Sequence, residues 1–462
     1  MKLLLIYPNS RNQVLGWGDL GAVAEPLALE YLAAGARLDG HDVCLLDLRL
    51  HPNDLDRVVS EYQPDVVGIT GYSMHVRSAL LIAQQIKAVL PKCAVIVGGH
   101  HATLLPEDFF EPAVDYVVSG EGVRPLRAIL AALSEGSQPP AIAGVYARCG
   151  GVFVFGGASP AFRVDDLPKP DRTLTAKDRS SYFIDWMKPI ALIRTTVGCP
   201  FRCSFCSLWK IMDGHYHKRD VDLVVDELRL IAEECVFLVD DEAFVDGKRM
   251  LALAQAIEAA GIHKRYFAYC RVDSFLRHRE TMEAWRRIGL ERLFFGIEGI
   301  SAIQLAEYNK RVEVSQVEAG LAEARKLGIE IFAQFIVNTN FTSRDFVQLV
   351  RFIEHNRISY PSFTVLTPLP GTASLTTFDQ IVAVQPNGRP DWDLFDCQNA
   401  VVPTRLPVDE FKREYRNLHR VFRGSYAHYL EHPPRPVRDA DQMASAAPSR
   451  LYPMAPPVRT RT

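Results

Sequence analysis

The sequence predicts an α/β protein that has two parallel sheets in succession, followed by a helical extension. Three observations support this prediction. Short apolar runs alternate with amphipathic helical patterns in residues 1–135, and the same alternation returns in residues 189–375. A third observation is a group of three cysteines, Cys199, Cys203 and Cys206, just after the first strand of the second region. We expect a flavodoxin-like doubly wound domain and then a partial (β/α)6 barrel.

The first region contains five short runs rich in Val, Ile and Leu. Continuous apolar strands separated by helices are typical of a parallel sheet that is covered on both faces. Such a sheet binds its ligands beyond the carboxyl ends of the strands. The predicted strands are 3–7, 43–47, 66–70, 94–97 and 116–118, and the predicted helices are 26–38, 54–62, 76–90 and 126–134.

Glycines and hydroxyl residues are concentrated in the loops that follow the third, fourth and fifth strands. These loops are residues 68–75, 98–103 and 119–122. Glycine lets the backbone approach a bulky ligand closely, and hydroxyls supply hydrogen bonds. Ordinary turns are the alternative interpretation of these loops, so the loops alone do not identify a ligand.

The remaining regions divide at proline-rich stretches. Residues 136–188 predict a small hairpin around Gly150 and Gly151 and then a linker. For residues 376–433 we expect a helical extension that shapes a substrate pocket. For residues 434–462 we expect a disordered tail, because they are rich in Pro, Ala, Ser and Arg.

The predicted barrel strands are 190–197, 236–239, 266–269, 292–296, 329–337 and 362–366, with helices at 221–233, 247–260, 280–288, 315–327 and 343–355.

Polar side chains follow the second, third and fourth barrel strands. Asp240, Asp241 and Glu242 follow the second strand, Arg271 the third and Glu298 the fourth. Active sites of barrels lie at these strand ends. Successive strands ending in this way predict a polar ligand at the rim of the barrel.

The three cysteines have the spacing C-x3-C-x2-C, and cysteine thiolates are the usual ligands of iron–sulfur clusters. Three ligands hold three irons of a [4Fe–4S] cube and leave the fourth iron open to another molecule. A structural zinc site is an alternative, but it normally has four ligands, and the fourth would have to be His215 or His217. Chance clustering of buried cysteines is a further alternative.

The cysteine spacing, together with Phe205 directly before the last cysteine, resembles the cluster loop of the radical S-adenosylmethionine (SAM) superfamily. With the glycine-rich domain in front, the chain resembles the cobalamin-dependent branch of that superfamily. The resemblance implies a cobalamin-binding domain at 1–135, a radical SAM core at 189–375, and three cofactors: a [4Fe–4S] cluster, SAM and cobalamin.

The resemblance also implies roles for individual residues. The cluster ligands would be Cys199, Cys203 and Cys206. The residues expected to contact SAM are Phe205, Asp240, Asp241, Glu242, Arg271 and Glu298, and those expected to contact cobalamin are Thr70, Ser73, Gly98, Gly99, His100 and Glu121. Many cobalamin domains carry a cobalt-binding histidine after the first strand. The loop 8–13 has none here, so we expect cobalamin without a protein histidine on cobalt.

The implied activity is radical methylation of an unactivated carbon in a hydrophobic or natural-product small molecule, driven by an external reductant such as flavodoxin or ferredoxin. Residues 206–210 and 266–269 resemble the hopanoid C-3 methylases in particular. Three alternatives stay open. They are a cyclase of the same branch, similar to the anaerobic magnesium-protoporphyrin ester cyclase, a non-catalytic cobalamin-binding sensor, and an electron-transfer protein.

Composition limits the partners and the compartment. The chain has 462 residues, enough for two or three domains, and its 52 basic and 55 acidic side chains nearly balance, so we expect no nucleic-acid partner. No apolar run approaches the roughly 18 residues of a transmembrane helix. Nine cysteines without framework spacing fit a reducing cytoplasm. We therefore expect a cytoplasmic protein without a transmembrane segment.

Overall fold

A computed structural model describes residues 1–9, 21–136, 141–159, 163–375 and 378–431, and the predicted tail lies outside them. In these residues the first domain is built on one sheet with the strand order β2-β1-β3-β4-β5-β6-β7. The strands β1 to β5 are parallel, which is the flavodoxin-like order. The strands are β1 Lys2–Tyr7, β2 Asp42–Asp47, β3 Val66–Thr70, β4 Ala94–Gly98, β5 Tyr116–Val118, β6 Val145–Cys149 and β7 Val152–Phe155.

Two apolar cores cover the faces of this sheet. Leu4, Val67 and Val95 pack against α3 on one face, whereas Leu3, Leu5 and Ile96 pack against α1 and α5 on the other. Residues that alternate along each strand therefore point to opposite cores, as expected for a doubly wound sheet. The helices are α1 Leu27–Leu38, α2 Leu55–Tyr62, α3 Val76–Val89, α4 His100–Leu104 and α5 Val123–Ser134.

The predicted hairpin forms and extends this first sheet at its edge. Residues of β6 pair antiparallel with β5, with Val118 opposite Val145. The aromatic rings of Phe110 and Phe153 stack at a centroid distance of 4.5 Å and fix the hairpin against the domain. The hairpin is thus part of the front sheet rather than an independent connector.

The second domain is a parallel sheet of six described strands in sequential order, β8 to β13. Such a sheet, with helices on its outer face, is the partial barrel that the sequence predicts. The strands are β8 Ile190–Ile193, β9 Cys235–Leu238, β10 Arg265–Cys270, β11 Leu290–Glu298, β12 Glu330–Val337 and β13 Tyr360–Val365. The helices are α6 Leu208–Ile211, α7 Val221–Leu228, α8 Gly247–Ala259, α9 Val272–Arg277, α10 Arg279–Arg287, α11 Ala302–Glu307, α12 Val314–Leu327 and α13 Ser343–His355.

Residues after the barrel contact both domains. Helix α14, Val408–Glu431, packs on β13 and α13, and the Tyr415 hydroxyl donates to the Phe363 carbonyl at 2.9 Å. Trp392 and Phe395 instead belong to the core of the first domain. Short 3-10 helices and two-residue strands complete the described structure: Ser73–His75, Pro106–Phe109, Val164–Asp166, Arg172–Ser181, Phe378–Gln380 and Trp392–Leu394, with the strand pairs Ala22–Val23 to Phe183–Ile184 and Thr196–Val197 to His217–Lys218.

A buried ion-pair network joins the two domains. The Glu25 carboxylate, which belongs to the first domain, accepts hydrogen bonds from Arg172, from Arg179 and from the backbone N–H of Leu192 in β8. Arg172 also donates to Glu227 of α7 at 2.8 Å. Its charge is therefore shared between carboxylates of both domains. None of the described helices is long and apolar enough to cross a membrane.

Candidate functional site

The cysteine loop, residues 198–206, follows the carboxyl end of β8 and begins at Gly198. This residue has φ +88°, and a Cβ there would lie 2.1 Å from the carbonyl oxygen of His215, so only glycine fits without rearrangement. Its N–H donates to Asp241 Oδ2 at 3.0 Å. Asp241 therefore holds the start of the loop against the next strand end.

Hydrogen bonds from neighbouring elements hold the rest of the loop. The Ser204 N–H donates to the Tyr308 carbonyl at 3.1 Å, and the Ser204 hydroxyl donates to the Glu307 carbonyl at 2.9 Å. The indole N–H of Trp209 donates to the Cys203 carbonyl at 3.3 Å. The positions of the three thiols are thus determined by the turn after α11 and by α6.

The thiols fit a cluster better than a single ion. Burial raises the pKa of Cys199 to about 12 and that of Cys206 to about 11, so a bound metal would have to supply the charge that stabilises thiolates there. Among the residues that the structure describes, no three His, Cys, Asp or Glu side chains converge closely enough for one metal ion. A cube presents separate iron corners, one for each thiolate.

Arg271 links the cysteine loop to the rim of the barrel. Its Nη1 lies 3.6 Å from Cys203 Sγ, and its guanidinium lies over the Phe201 ring at 4.0 Å. Its Nε donates to Asp273, and its backbone N–H donates to Glu242 at 2.7 Å. Burial raises the pKa of Glu242 to about 7. Two of the residues predicted to contact SAM, Arg271 and Glu242, therefore lie together near the Cys203 thiol.

Glu298 and Phe205 both lie near the ammonium group of Lys310. Glu298 has φ +68°, and its Oε1 accepts from Lys310 Nζ at 3.1 Å. The same ammonium is 5.9 Å from the centroid of the Phe205 ring. Lys310 was missed by the sequence analysis, because its run Tyr308–Arg311 has the composition of an ordinary helix end. Its role is visible only from the buried carboxylate it contacts.

Asp240 has a different environment from the other rim carboxylates. It is fully buried and accepts three hydrogen bonds, from the N–H and the hydroxyl of Thr195 and from the N–H of Thr196. The carboxylate braces the segment that enters the cysteine loop. Its predicted contact with SAM is not tested by this arrangement and stays a prediction.

The glycine-rich loops of the first domain meet between β3 and β4. Thr70 pairs with Gly98 across the two strands. Gly99 has φ +101°, and a Cβ there would lie 2.8 Å from the Thr70 hydroxyl, so the two loops pack closer than other residues allow. The predicted cobalamin positions Thr70, Ser73, Gly98, Gly99 and His100 thus share one edge of the sheet. This edge offers the close backbone approach that a large ligand needs.

Glu121 makes its hydrogen bonds to α5 rather than to the residues of that edge. Its carboxylate accepts from the backbone N–H groups of Val123, at 2.5 Å, and Arg124, at 3.2 Å, at the start of α5. Carboxylates are favourable at a helix N-terminus because they satisfy free N–H groups there. Its contact with cobalamin likewise stays a prediction.

Residues of the two domains lie close together beside the glycine-lined edge, where α4 contacts α6. Tyr72 is 48 % exposed, and desolvation by the groups around it raises its pKa. Burial and then the charge of Arg194 lower the pKa of His100 to about 4. Burial and then Tyr72 raise the pKa of Tyr269 in β10. Tyr72 and His100 of the first domain therefore lie opposite Arg194 and Tyr269 of the barrel.

The inward face of the barrel forms a largely apolar chamber. Tyr269, Phe294, Phe332 and Thr364 point inward and keep part of their surface accessible, whereas the residues between them are buried against the outer helices. The Gln334 amide donates to the Thr364 hydroxyl at 3.0 Å. One polar pair therefore lies among aromatic walls, which is the usual composition of a small-molecule site.

The amino-terminal end of the chamber is closed by Arg292. This side chain is fully buried, pairs with Asp185 at 2.7 Å, and lies over the rings of Trp186 at 4.1 Å and Tyr360 at 4.5 Å. An arginine enclosed by aromatic rings gains cation–π stabilisation that offsets part of its desolvation. Any ligand of the chamber must therefore lie toward the carboxyl ends of the strands, where the cysteine loop is.

The chain matches known families and proteins over most of its length. Residues 17–130 match the B12 binding domain family, and residues 193–353 match the Radical SAM superfamily. The hopanoid C-3 methylase of Methylococcus capsulatus is 33 % identical over 90 % of this chain and 78 % of its own length. An anaerobic magnesium-protoporphyrin IX monomethyl ester cyclase of Rubrivivax gelatinosus is 27 % identical over 73 % of this chain and 62 % of its own length.

A solved structure shares the fold. The radical S-adenosylmethionine methyltransferase TsrM from Kitasatospora setae, with cobalamin and a [4Fe–4S] cluster bound, superposes with a TM-score of 0.66 at 20 % identity. The match covers 83 % of this chain and 76 % of TsrM. The predicted fold class, the enzyme class and the three cofactors are confirmed by these findings taken together. With its B12 domain, its three-cysteine radical SAM core and this degree of identity, the chain belongs to the cobalamin-dependent radical SAM methyltransferase family.

Proposed function

We propose that this protein methylates an unactivated carbon of a hydrophobic small molecule that binds in the barrel chamber. The observation that carries the proposal is that α4, which begins at His100 on the glycine-lined edge of the first domain, contacts α6, which directly follows the cysteine loop. When bound, the cluster with SAM supplies radical chemistry and cobalamin supplies a methyl group, so both must reach one substrate carbon.

The protein's own residues position these groups. Cys199, Cys203 and Cys206 would hold three cluster irons, and Arg271 places a positive charge beside one ligand. Asp241 keeps the loop fixed through the Gly198 N–H. Glu298 and Lys310 neutralise each other beside Phe205, so a zwitterionic amino acid group can bind between them without leaving a buried charge unpaired.

The chamber supports a hydrophobic substrate. Phe294 and Phe332 stack at 5.2 Å on its wall, and Tyr269 packs edge-on against Phe294 at 4.8 Å. These rings exclude water from the position where a reactive carbon would lie, which prevents side reactions. The relative with 33 % identity is named a hopanoid C-3 methylase, and a hopanoid is accordingly our first candidate substrate.

The test is an anaerobic assay. Reconstituted protein is incubated with SAM, methylcobalamin, a hopanoid and a strong reductant, and the products are analysed by mass spectrometry. We expect 5′-deoxyadenosine together with a hopanoid that has gained one methylene unit. Absence of 5′-deoxyadenosine under these conditions contradicts the proposal, as does formation of 5′-deoxyadenosine by the Cys203→Ala variant.

A cyclase is the second candidate, since relatives of that name match the chain. Cyclisation transfers no methyl group, so the mass of the product separates the two activities directly.

The proposal also includes delivery of electrons by an external flavodoxin or ferredoxin in the cytoplasm. A charge balance of 52 basic to 55 acidic residues supports small partners rather than nucleic acid.

A further inference from the structure

A buried histidine connects the two glycine-rich loops of the first domain. His101 is 1 % exposed, and its backbone N–H reaches the Gly71 carbonyl in the loop after β3 at 3.4 Å. Its ring Nδ1 lies 2.9 Å from the Ser73 hydroxyl, and its ring Nε2 lies 3.0 Å from Asp108 Oδ2. His101 itself belongs to α4, which follows β4.

The carboxylate of Asp108 determines how this histidine bonds. An ionised carboxylate only accepts hydrogen bonds, so Nε2 must carry the proton that faces Asp108. In the neutral ring Nδ1 is then the acceptor, and the Ser73 hydroxyl must donate to it. The free lone pairs of the Ser73 oxygen are consequently left to accept a hydrogen bond from another group.

Aromatic rings fix the plane of the histidine. Phe109 packs edge-on at 5.7 Å and Trp392 at 4.7 Å between ring centroids. Trp392 comes from the segment after the barrel, so the carboxyl-terminal part of the chain also contributes to this position. A ring held by two hydrogen bonds and two aromatic contacts has little freedom to turn, and Ser73 is oriented accordingly.

We propose that Asp108, acting through His101, orients the Ser73 hydroxyl as a hydrogen-bond acceptor for an amide N–H group of cobalamin. Asp108 and His101 are thus positioning residues that the sequence analysis did not identify. This inference rests on the proposed function, because it concerns the cofactor of that same site. It also explains why the two loops are joined side by side, because the cobalamin amide has to reach the Ser73 hydroxyl along the glycine-lined edge.

The test measures cobalamin affinity directly and does not depend on activity. The full chain is titrated with hydroxocobalamin, and binding is followed by visible absorbance for the variants Ser73→Ala, Asp108→Ala and the double variant. We expect each single variant to weaken binding about tenfold, which is the effect of losing one hydrogen bond, and the double variant to be no weaker than either. Ser73→Thr, which keeps the hydroxyl, should bind nearly as tightly as the unchanged protein.

The control is Glu107→Ala, which removes an exposed carboxylate from the residue next to Asp108 and should leave affinity unchanged. Thermal unfolding without cobalamin verifies that each variant folds. If Asp108→Ala does not fold, His101→Gln serves instead, because it retains a donor toward Asp108 and loses the rigid Nδ1 acceptor. It should show the same tenfold loss.

Two results overturn the inference. Additive losses, close to a hundredfold in the double variant, would show that Asp108 and Ser73 act independently. Unchanged affinity in Asp108→Ala would show that the contact only stabilises the fold. If the unchanged protein itself does not bind hydroxocobalamin, the proposed function fails and this inference fails with it, so the two failures are distinguishable.

Discussion

Arg271 places its Nη1 atom 3.6 Å from the sulfur of Cys203, while its other nitrogens donate to Asp273 and to the Lys310 carbonyl. The guanidinium is therefore fixed in a position where it faces the Cys203 thiol, which we propose as a cluster ligand. A fixed positive charge beside a thiolate stabilises added negative charge, and reduction of a cluster adds one electron. With Cys203 as the proposed ligand, this contact predicts that Arg271 affects how easily the cluster is reduced.

The first prediction follows from that contact. Arg271→Gln should make the reduction potential of the cluster more negative, by about 60 mV or more, because one favourable charge interaction is lost. A redox titration followed by electron paramagnetic resonance measures the shift. Arg277→Gln is the matched control, since Arg277 is an exposed arginine that lies 3.8 Å from the same Asp273 carboxylate. Equal potentials in the two variants would contradict the assignment.

The second prediction concerns the cysteines. Alanine at Cys199, Cys203 or Cys206 should each abolish stable cluster binding, because each thiolate holds a separate iron. Iron and sulfide analysis of anaerobically reconstituted protein measures this directly. Cys270→Ala is the control, since Cys270 is buried on the outer face of β10 within the apolar core. Its iron content should equal that of the unchanged protein, and a comparable loss of iron there would count against the ligand set.

The third prediction concerns pH. Burial and then the neighbouring Glu25 raise the pKa of Glu30 from 4.5 to about 8, and the Thr175 hydroxyl donates to its Oε1 at 2.5 Å. A group whose pKa is raised on folding contributes stability that is complete below pH 4.5 and is lost as the pH rises through about 8. Glu30→Gln imitates the protonated form, so its unfolding temperature should fall less between pH 6 and pH 9.

Calorimetry at several pH values measures this effect. The control is Glu61→Gln, which changes an exposed carboxylate of α2 and should leave the pH dependence as it was. A steeper loss of stability with rising pH in Glu30→Gln than in the unchanged protein would contradict the assignment.

The fourth prediction concerns the chamber. Ser362 faces inward on β13 between Tyr360 and Thr364, so Ser362→Phe should fill space that the substrate needs. We expect methylated product to fall by at least about tenfold while SAM cleavage without substrate persists, because the cysteine loop is left intact. The control Ser315→Phe adds the same ring to the exposed side of α12. Equal losses of product and of SAM cleavage in Ser362→Phe would place the substrate elsewhere.

The sequence predicted the architecture well because the architecture is encoded locally. Apolar runs and helical periodicity indicated the strands of both sheets, and the cysteine spacing indicated the cluster loop. The attachment of the hairpin to β5 was not predictable, since pairing between Val118 and Val145 depends on tertiary placement. The hydrogen-bond partners of the polar residues could not be predicted from the sequence either. Asp240 and Glu298 look alike in the sequence, yet one braces a loop and the other pairs with Lys310.

Arg194 and His101 show the same limit. Arg194 directly follows β8 and precedes Cys199 by five positions, but nothing local distinguishes it from a surface arginine. His101 follows another histidine, and only the fold shows which of the two is enclosed. Side-chain roles in this protein depend on groups brought from remote parts of the chain.

The ion pairs of Glu25 constrain how the two domains of this protein can evolve. Its carboxylate belongs to the front half, and the arginines that neutralise it lie on the connector. Replacement of the first domain by an unrelated domain would leave that carboxylate, or the arginines, buried without an oppositely charged partner, at a cost of several kcal/mol. Diversification of such a protein is therefore expected to proceed by changes on the chamber wall, with the two halves inherited as a pair.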